Sequence, residues 1–293
     1  MSTDLQTPET QKHPAKTPRK RIRSLSLLLG TILTSVTVIV GVVSFFWVPY
    51  PADQVNYGPR LGSPSTDFWL GTDRLGRDLF SQFLGGASSA IIVAASAVLI
   101  AGTIGLILGI TAAATTWILD IAVSKVIDIM IAFPTLLLAM LVVAVNGASF
   151  SSAVIAIGIS GSAVIARVTR VNTTRVLNED YVRAARTSGT RWWGILLRHV
   201  IPNIAPMLIV QLTLLAGSSI LAEASLSYLG LGAPPPAPSW GRMLLEAQST
   251  VAVQPWGALA PGLAIAWTAL GLNLLGDGIR EYSDPTIGGA LES

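Results

Sequence analysis

The sequence predicts an all-α membrane protein with six transmembrane helices, and three observations carry that reading. Of 293 residues, 51% are hydrophobic and only 12% charged. That is about half the charged share of a soluble domain, too little to solvate a water-facing surface. Lys, Arg, Asp and Glu are absent between Asp78 and Asp120, Asp128 and Arg167, Arg198 and Glu223, and Glu246 and Asp277. Each gap holds at least one crossing of ~20 residues. The second holds two, divided by the turn dipeptide Asn146-Gly147. A further apolar run, 25–47, follows the basic cluster Lys16, Arg19, Lys20, Arg21 and Arg23.

Taken in order, residues 1–24 are polar, with Pro14 and Pro18 and no apolar periodicity, and predict a disordered basic tail held near the lipid headgroups. Residues 25–47 predict the first span. The run is too long for a cleaved signal core and lacks a small-residue cleavage site, so it reads as an uncleaved anchor, with Trp47 and Tyr50 at the interface. Residues 48–87 form an extracytoplasmic segment. A five-helix core, 88–278, follows, with spans at 88–113, 126–145, 151–171, 203–222 and 258–276, and then a tail, 279–293. Pro134 predicts a kink in the third span, and Gly105-x-x-x-Gly109 fits close helix packing in the second. The proline run Ala233–Pro238 excludes helix there.

The basic residues orient these spans. With the N-terminus in the cytoplasm, only Arg60, Arg74, Arg77 and Arg242 fall outside, and the other fifteen of 19 fall inside. Both termini are then cytoplasmic. Cysteine is absent, which excludes disulfides, thiolate metal sites and a cysteine nucleophile. The two histidines, His13 and His199, make no metal constellation. None of the four lysines lies in a phosphate-binding G-x4-G-K-[ST] loop. No acid–base pair on one face supports a membrane enzyme.

The most informative stretch is the cytoplasmic loop within 172–202. It predicts two short helices. Asn178 is a candidate cap for the first, Gly189 its left-handed stop, and Thr190 a cap for the second, which Pro202 ends or kinks. Ala184-Ala185, between Arg183 and Arg186, makes a small patch that another backbone can approach. The residues alone leave two roles open: docking of a soluble partner, or an amphipathic helix lying on lipid.

Residues 183–202 resemble the loop signature E-A-A-x3-G-x9-I-x-L-P of bacterial ABC-importer permeases. Ala184, Ala185, Gly189 and Pro202 fall at its spacing, while Arg183, His199 and Ile201 depart from it. Four further segments resemble the C-type permease of the dipeptide/oligopeptide/nickel group. These are Trp69–Asp78 (W-L-G-T-D-R-L-G-R-D), Val126–Pro134 with its D-x-x-x-x-F-P, Leu226–Gly232 with Ser239-Trp240-Gly241, and Gly276-Asp277-Gly278 with Asp284-Pro285. The resemblance implies a type I ABC importer transmembrane domain of the MetI-like kind, in the bacterial inner membrane. It implies a homologous B-type permease, two cytoplasmic ATPase subunits or domains that hydrolyse the ATP, and an extracytoplasmic substrate-binding protein. This chain would bind lipid but no cofactor, metal or nucleic acid. The cargo would be di- or oligopeptides or a related small solute. Tyr181, Arg183, Ala184, Ala185, Gly189, Arg191 and Pro202 would form the ATPase-coupling loop. Asp73, Arg74, Arg77, Asp78, Glu223 and Trp240 would be outer-face candidates for receptor docking.

The rival reading is a secondary transporter driven by an ion gradient, motivated by Asp120, Lys125 and Asp128 in the third span. The i, i+3 spacing of Lys125 and Asp128 favours structural pairing instead. Glu223 is expected as a solvated carboxylate ending span five, and Trp192-Trp193 as an interfacial anchor.

Overall fold

The computed structural model describes residues 25–115 and 117–283. The basic tail, His13 and Asp284-Pro285 lie outside the described residues. Among the described residues, five helices are long and apolar enough to cross a membrane: α1 (Leu25–Phe46), α2 (Leu79–Ala114), α5 (Phe150–Leu177), α8 (Ile201–Tyr228) with the turns that lead into it, and α10 (Trp256–Ser283). A sixth crossing is broken. Helices α3 (Trp117–Ala132) and α4 (Thr135–Asn146) meet at 91°. Proline cannot donate to the helical ladder, and it pushes the residue before it out of the helical region. The expected kink at Pro134 is therefore a full break between two helices.

That the broken pair amounts to one net crossing follows from the packing of its neighbours. A side chain at Gly158 would strike Ile100, one at Gly105 would strike Ile165, and one at Gly109 would strike Thr169. The contacts advance together along both chains, so α2 and α5 run parallel, and one return passage must separate them. Gly105 and Gly109 are where α2 presses against α5, as the G-x-x-x-G spacing anticipates. Helices α1 and α10 run antiparallel: Gly278 faces Leu27, Gly271 faces Leu33 and Thr34, and the Thr37 and Thr268 hydroxyls meet at 3.1 Å. Six crossings result, and the two described ends of the chain lie at one end of the bundle, where Ser26 Oγ donates to Glu281.

Several elements extend past their sequence boundaries. Helix α2 begins at Leu79 rather than 88, because Asp78 caps it by accepting from the Phe80 and Ser81 backbone N–H groups. At 36 residues it is about 54 Å long, well beyond the hydrocarbon core. Helix α8 runs to Tyr228 instead of 222, and α10 runs to Ser283 instead of 276. A short helix, α9 (Trp240–Ala247), stands in what reads as an outer loop. Its apolar residues 240, 243, 244 and 247 have helical spacing behind the Ser239 cap. Residues 231–239 between α8 and α9 are non-helical, as the prolines require.

Candidate functional site: the α5–α8 elbow and the opposite cap

Between α5 and α8 the chain leaves the bundle and returns. Helix α6 (Asp180–Thr187) is followed by Gly189 at φ +79°, then by α7 (Trp192–Ile195), a π-helical turn (Leu196–Val200) and α8 without interruption. Gly189 takes the left-handed conformation that ends α6, and the Gly189 and Thr190 N–H groups close on Arg186 and Ala185. The caps differ from expectation. Asn178 belongs to α5: its side chain donates back to Thr174 O at 3.0 Å, so it is unavailable to α6, whose N-cap is Glu179. The cap of α7 is Arg191 rather than Thr190, with no side-chain bond. Pro202 neither ends nor breaks the helix. It occupies the first turn of α8 directly after the π turn, where the wider loop of hydrogen bonds absorbs its missing donor.

The elbow is held by a single cluster. Val182 is fully buried and is the one buried residue of α6. It packs with Val176, Leu177, Ile195, Leu196, Val200 and Ile204. Everything else on α6 faces outward or sits at the edge. Tyr181, Arg183 and Ala184 are exposed and Ala185 is half-buried. Gly189, Arg191 and Pro202 are also exposed. Tyr181 lies against His199, ring centroids 5.8 Å apart. The tryptophan pair divides its work, with Trp192 packed beside the cluster and Trp193 exposed. Arg183, which stands where the resembled signature has Glu, makes only a loose 3.9 Å contact with Asp180.

At the opposite end, the motif Trp69–Asp78 folds into a tight turn. Asp73 accepts from the Leu75 and Arg77 backbone N–H groups at 2.8 and 2.9 Å, and Gly76 adopts φ +71°. Arg77 is buried between two carboxylates: its Nε donates to Asp73 at 2.6 Å and its Nη2 to Glu246. Burial alone would lower the Arg77 pKa, but the charges and hydrogen bonds of Asp73 and Glu246 outweigh it and raise it. Glu246 also accepts from Arg242 at 3.1 Å, and Gln82 donates to Asp73 at 3.2 Å. This network locks the 72–78 turn onto α9 and rims a cavity of about 400 Å³. Arg74 is exposed and reaches Ser249 at 3.1 Å. Trp240 is buried, with Nε1 donating to Phe83 O at 3.0 Å and its ring against Gly86.

Of the outer candidates, then, Arg74 is exposed and Asp73 partly so, while Arg77, Asp78 and Trp240 hold the cap together. Glu223 is not a solvated carboxylate. It lies inside α8, 5% exposed, and accepts from Ser227 Oγ at 2.6 Å. The third-span charges also find different partners. Asp128 pairs with Arg167, not Lys125, and Asp120 pairs with Arg170 through two contacts of 2.6 and 2.8 Å. Both pairs join α3 to α5, so the aspartates are matched across helices, not along one.

A profile of the family described as "Binding-protein-dependent transport system inner membrane component" matches residues 105–289. The chain is 40% identical to the glutathione transport system permease protein GsiD of Pectobacterium atrosepticum, over 83% of this chain and 82% of that one. It is 35% identical to the dipeptide transport system permease protein DppC of Alkalihalophilus pseudofirmus, over 88% and 85%. Among solved structures, an inward-facing MetNI methionine ABC transporter chain superposes with a TM-score of 0.53 at 16% identity, covering 70% of this chain and 96% of that one. That likeness concerns the fold.

Proposed function

Because the chain belongs to the family of binding-protein-dependent transport system inner membrane components, we propose that it is the permease subunit of an ATP-driven importer of short peptides or a related small solute. It forms half of the pathway beside a homologous permease. The elbow carries the reading. Helix α6 offers small side chains, Ala184 and Ala185, between exposed arginines, while Val182 ties it to α5 and α8. A push on α6 passes through that cluster into α7, the π turn and α8, which form one continuous rod. Two cytoplasmic ATPases supply the push and hydrolyse the ATP, and this chain contributes coupling rather than chemistry.

The peptide cargo follows from the relatives, named for glutathione and dipeptide transport. The excess of Lys and Arg at the elbow end supports a cytoplasmic position for that end and an outer position for the Arg77 cap, toward a substrate-binding protein. The gradient-driven carrier loses its motive, since Asp120 and Asp128 are each matched by an arginine.

Affinity purification from gently solubilised membranes, with mass spectrometry of co-eluting chains, tests the proposal. A second permease and P-loop ATPases are expected. A chain that runs alone, and whose reconstituted uptake collapses with a protonophore at constant ATP, would overturn it.

A further inference from the structure

Resting on the importer reading, we propose that Glu223 is the positioning residue that fastens α8 to the cap, so that the rod leading from the elbow and the cap move as one piece. Three observations carry this.

The first is an unbroken line of polar contacts. Ser239 caps α9, its Oγ accepting from the Arg242 backbone N–H at 3.1 Å. The hydroxyl keeps its own proton to donate, and Glu223 is the carboxyl group that it meets. From Arg242 the line continues through Nε to Glu246 at 3.1 Å, and from Glu246 through Arg77 to Asp73 in the 72–78 turn. Glu223 stands at the α8 end of a chain of contacts that spans the cap.

The second is how α9 is otherwise held. Around its start the polar ties run to α2: Trp240 Nε1 donates to Phe83 O at 3.0 Å, and Ser89 Oγ donates to Pro238 O at 2.7 Å. Toward α8 the approach is close but apolar, with Gly241 pressed on the Ala224 backbone. Such packing resists separation without fixing register, whereas a hydrogen bond demands a defined distance and angle. The Glu223–Ser239 contact, beside Ala224, supplies that fixed point.

The third is the cost of the site. Glu223 is 5% exposed and accepts from Ser227 Oγ, and none of the ion pairs among the described residues includes it. A buried carboxyl group with hydroxyl partners alone is costly, and an apolar side chain of similar size would pack there more cheaply. Its presence is explained by the contact it makes rather than by stability. Glu223 lies about 33 Å along α8 from Ile201, so the joint stands at the far end of the rod from the elbow. A push on α6 reaches the cap through it, and by linkage a protein bound to the cap acts back on the elbow by the same joint.

The chain has no cysteine, so Tyr228→Cys on α8 and Leu75→Cys in the 72–78 turn, both exposed positions, accept a pair of spin labels. The distance distribution between the labels is measured in the complete transporter in liposomes, with cysteine-free partner subunits, with and without magnesium and AMP-PNP. With Glu223 and Ser239 in place, one narrow distribution is expected, unmoved by nucleotide. Ser239→Gly removes the hydroxyl but leaves a residue that serves at an N-cap, and Glu223→Ala removes the carboxyl group. Each is expected to at least double the width of the distribution, or to make the distance shift with nucleotide. Ser239→Gly decides alone if Glu223→Ala does not assemble. A distance that shifts with nucleotide while Glu223 and Ser239 are intact would show that α8 and the cap move separately, and would overturn the proposal. An unaltered narrow distribution in Ser239→Gly would overturn it too, and if the unfolding midpoint fell alongside, the contact would be merely structural. Failure of the importer reading is seen separately, as absence of ATPases from the purified assembly, and the widths without nucleotide then still judge the joint.

Discussion

Arg77 and Asp78 at one end of the bundle are 8% and 2% exposed, each satisfied by neighbours within the chain. At the other end, Arg183 and Ala184 are exposed, and Val182 is the one buried residue of their helix. Both ends carry dense sequence motifs, yet the motifs answer different demands. The Trp69–Asp78 segment folds onto itself: every polar group singled out there except Arg74 serves a turn, a cap or the α9 contact. The α6 segment does almost nothing for its own stability beyond Val182 and the Gly189 stop. Residues kept outward on a helix so lightly attached are intelligible as a surface for something outside the chain. The difference separates architecture from interface, and it can be tested by mutating equivalent classes of residue at the two ends.

The largest effect belongs to the cap. Arg77→Ala leaves Asp73 and Glu246 facing each other without their shared cation in a buried site. Removing one partner of such a network costs about 3–5 kcal/mol. A marked fall in the unfolding midpoint of the detergent-solubilised protein is expected, with loss of uptake as its consequence. If uptake fell while the midpoint stayed unchanged, Arg77 would be an interface residue and the contrast between the ends would collapse.

The elbow should behave in the opposite way. Ala184→Leu/Ala185→Leu adds bulk to an exposed or half-buried surface, so the midpoint should move by no more than about 0.5 kcal/mol equivalent. Uptake and recovery of the ATPase subunits should nevertheless drop sharply, because the added side chains hold a partner's backbone away. Normal uptake by this variant would count against the elbow as the coupling surface.

The same contrast explains what the sequence disclosed. The crossings were legible because a lipid-facing helix must be apolar over its whole span, and charge-free gaps reveal that directly. The G-x-x-x-G contact and the Gly189 stop were legible because small or left-handed positions have local causes. Pairing across elements was not. Spacing matched Asp128 with Lys125, whereas Arg167 on another helix takes it. Glu223 sits at the edge of an apolar run, which predicts a solvated carboxylate, yet it is buried and accepts from Ser227. Helix α9 and the first turns of α2 are hard to read from the sequence for a related reason. Their signals, the Ser239 and Asp78 caps followed by apolar residues at helical spacing, lie outside the long apolar runs that mark membrane spans.

The smallest structural effect is expected at Arg183. Its contact with Asp180 is 3.9 Å long and both side chains are open to solvent, so it contributes ~0–1 kcal/mol at most. Arg183→Glu would place a carboxylate one turn from Asp180, a repulsion of about 0.2–0.5 kcal/mol. The new charge would also stand in the first half of a short helix, where the macrodipole favours an anion by about 0.3–1 kcal/mol. These contributions nearly cancel, and the unfolding midpoint should not change measurably. Any effect on coupling must then come from the partner. If the ATPase groove presents acidic groups to Arg183, the substitution will weaken ATPase recovery, more so at low salt, where exposed charges are least screened. If recovery is unchanged at every ionic strength, the departure from Glu at this position is neutral, and α6 is recognised through Ala184, Ala185 and the shape of the elbow rather than through its charge.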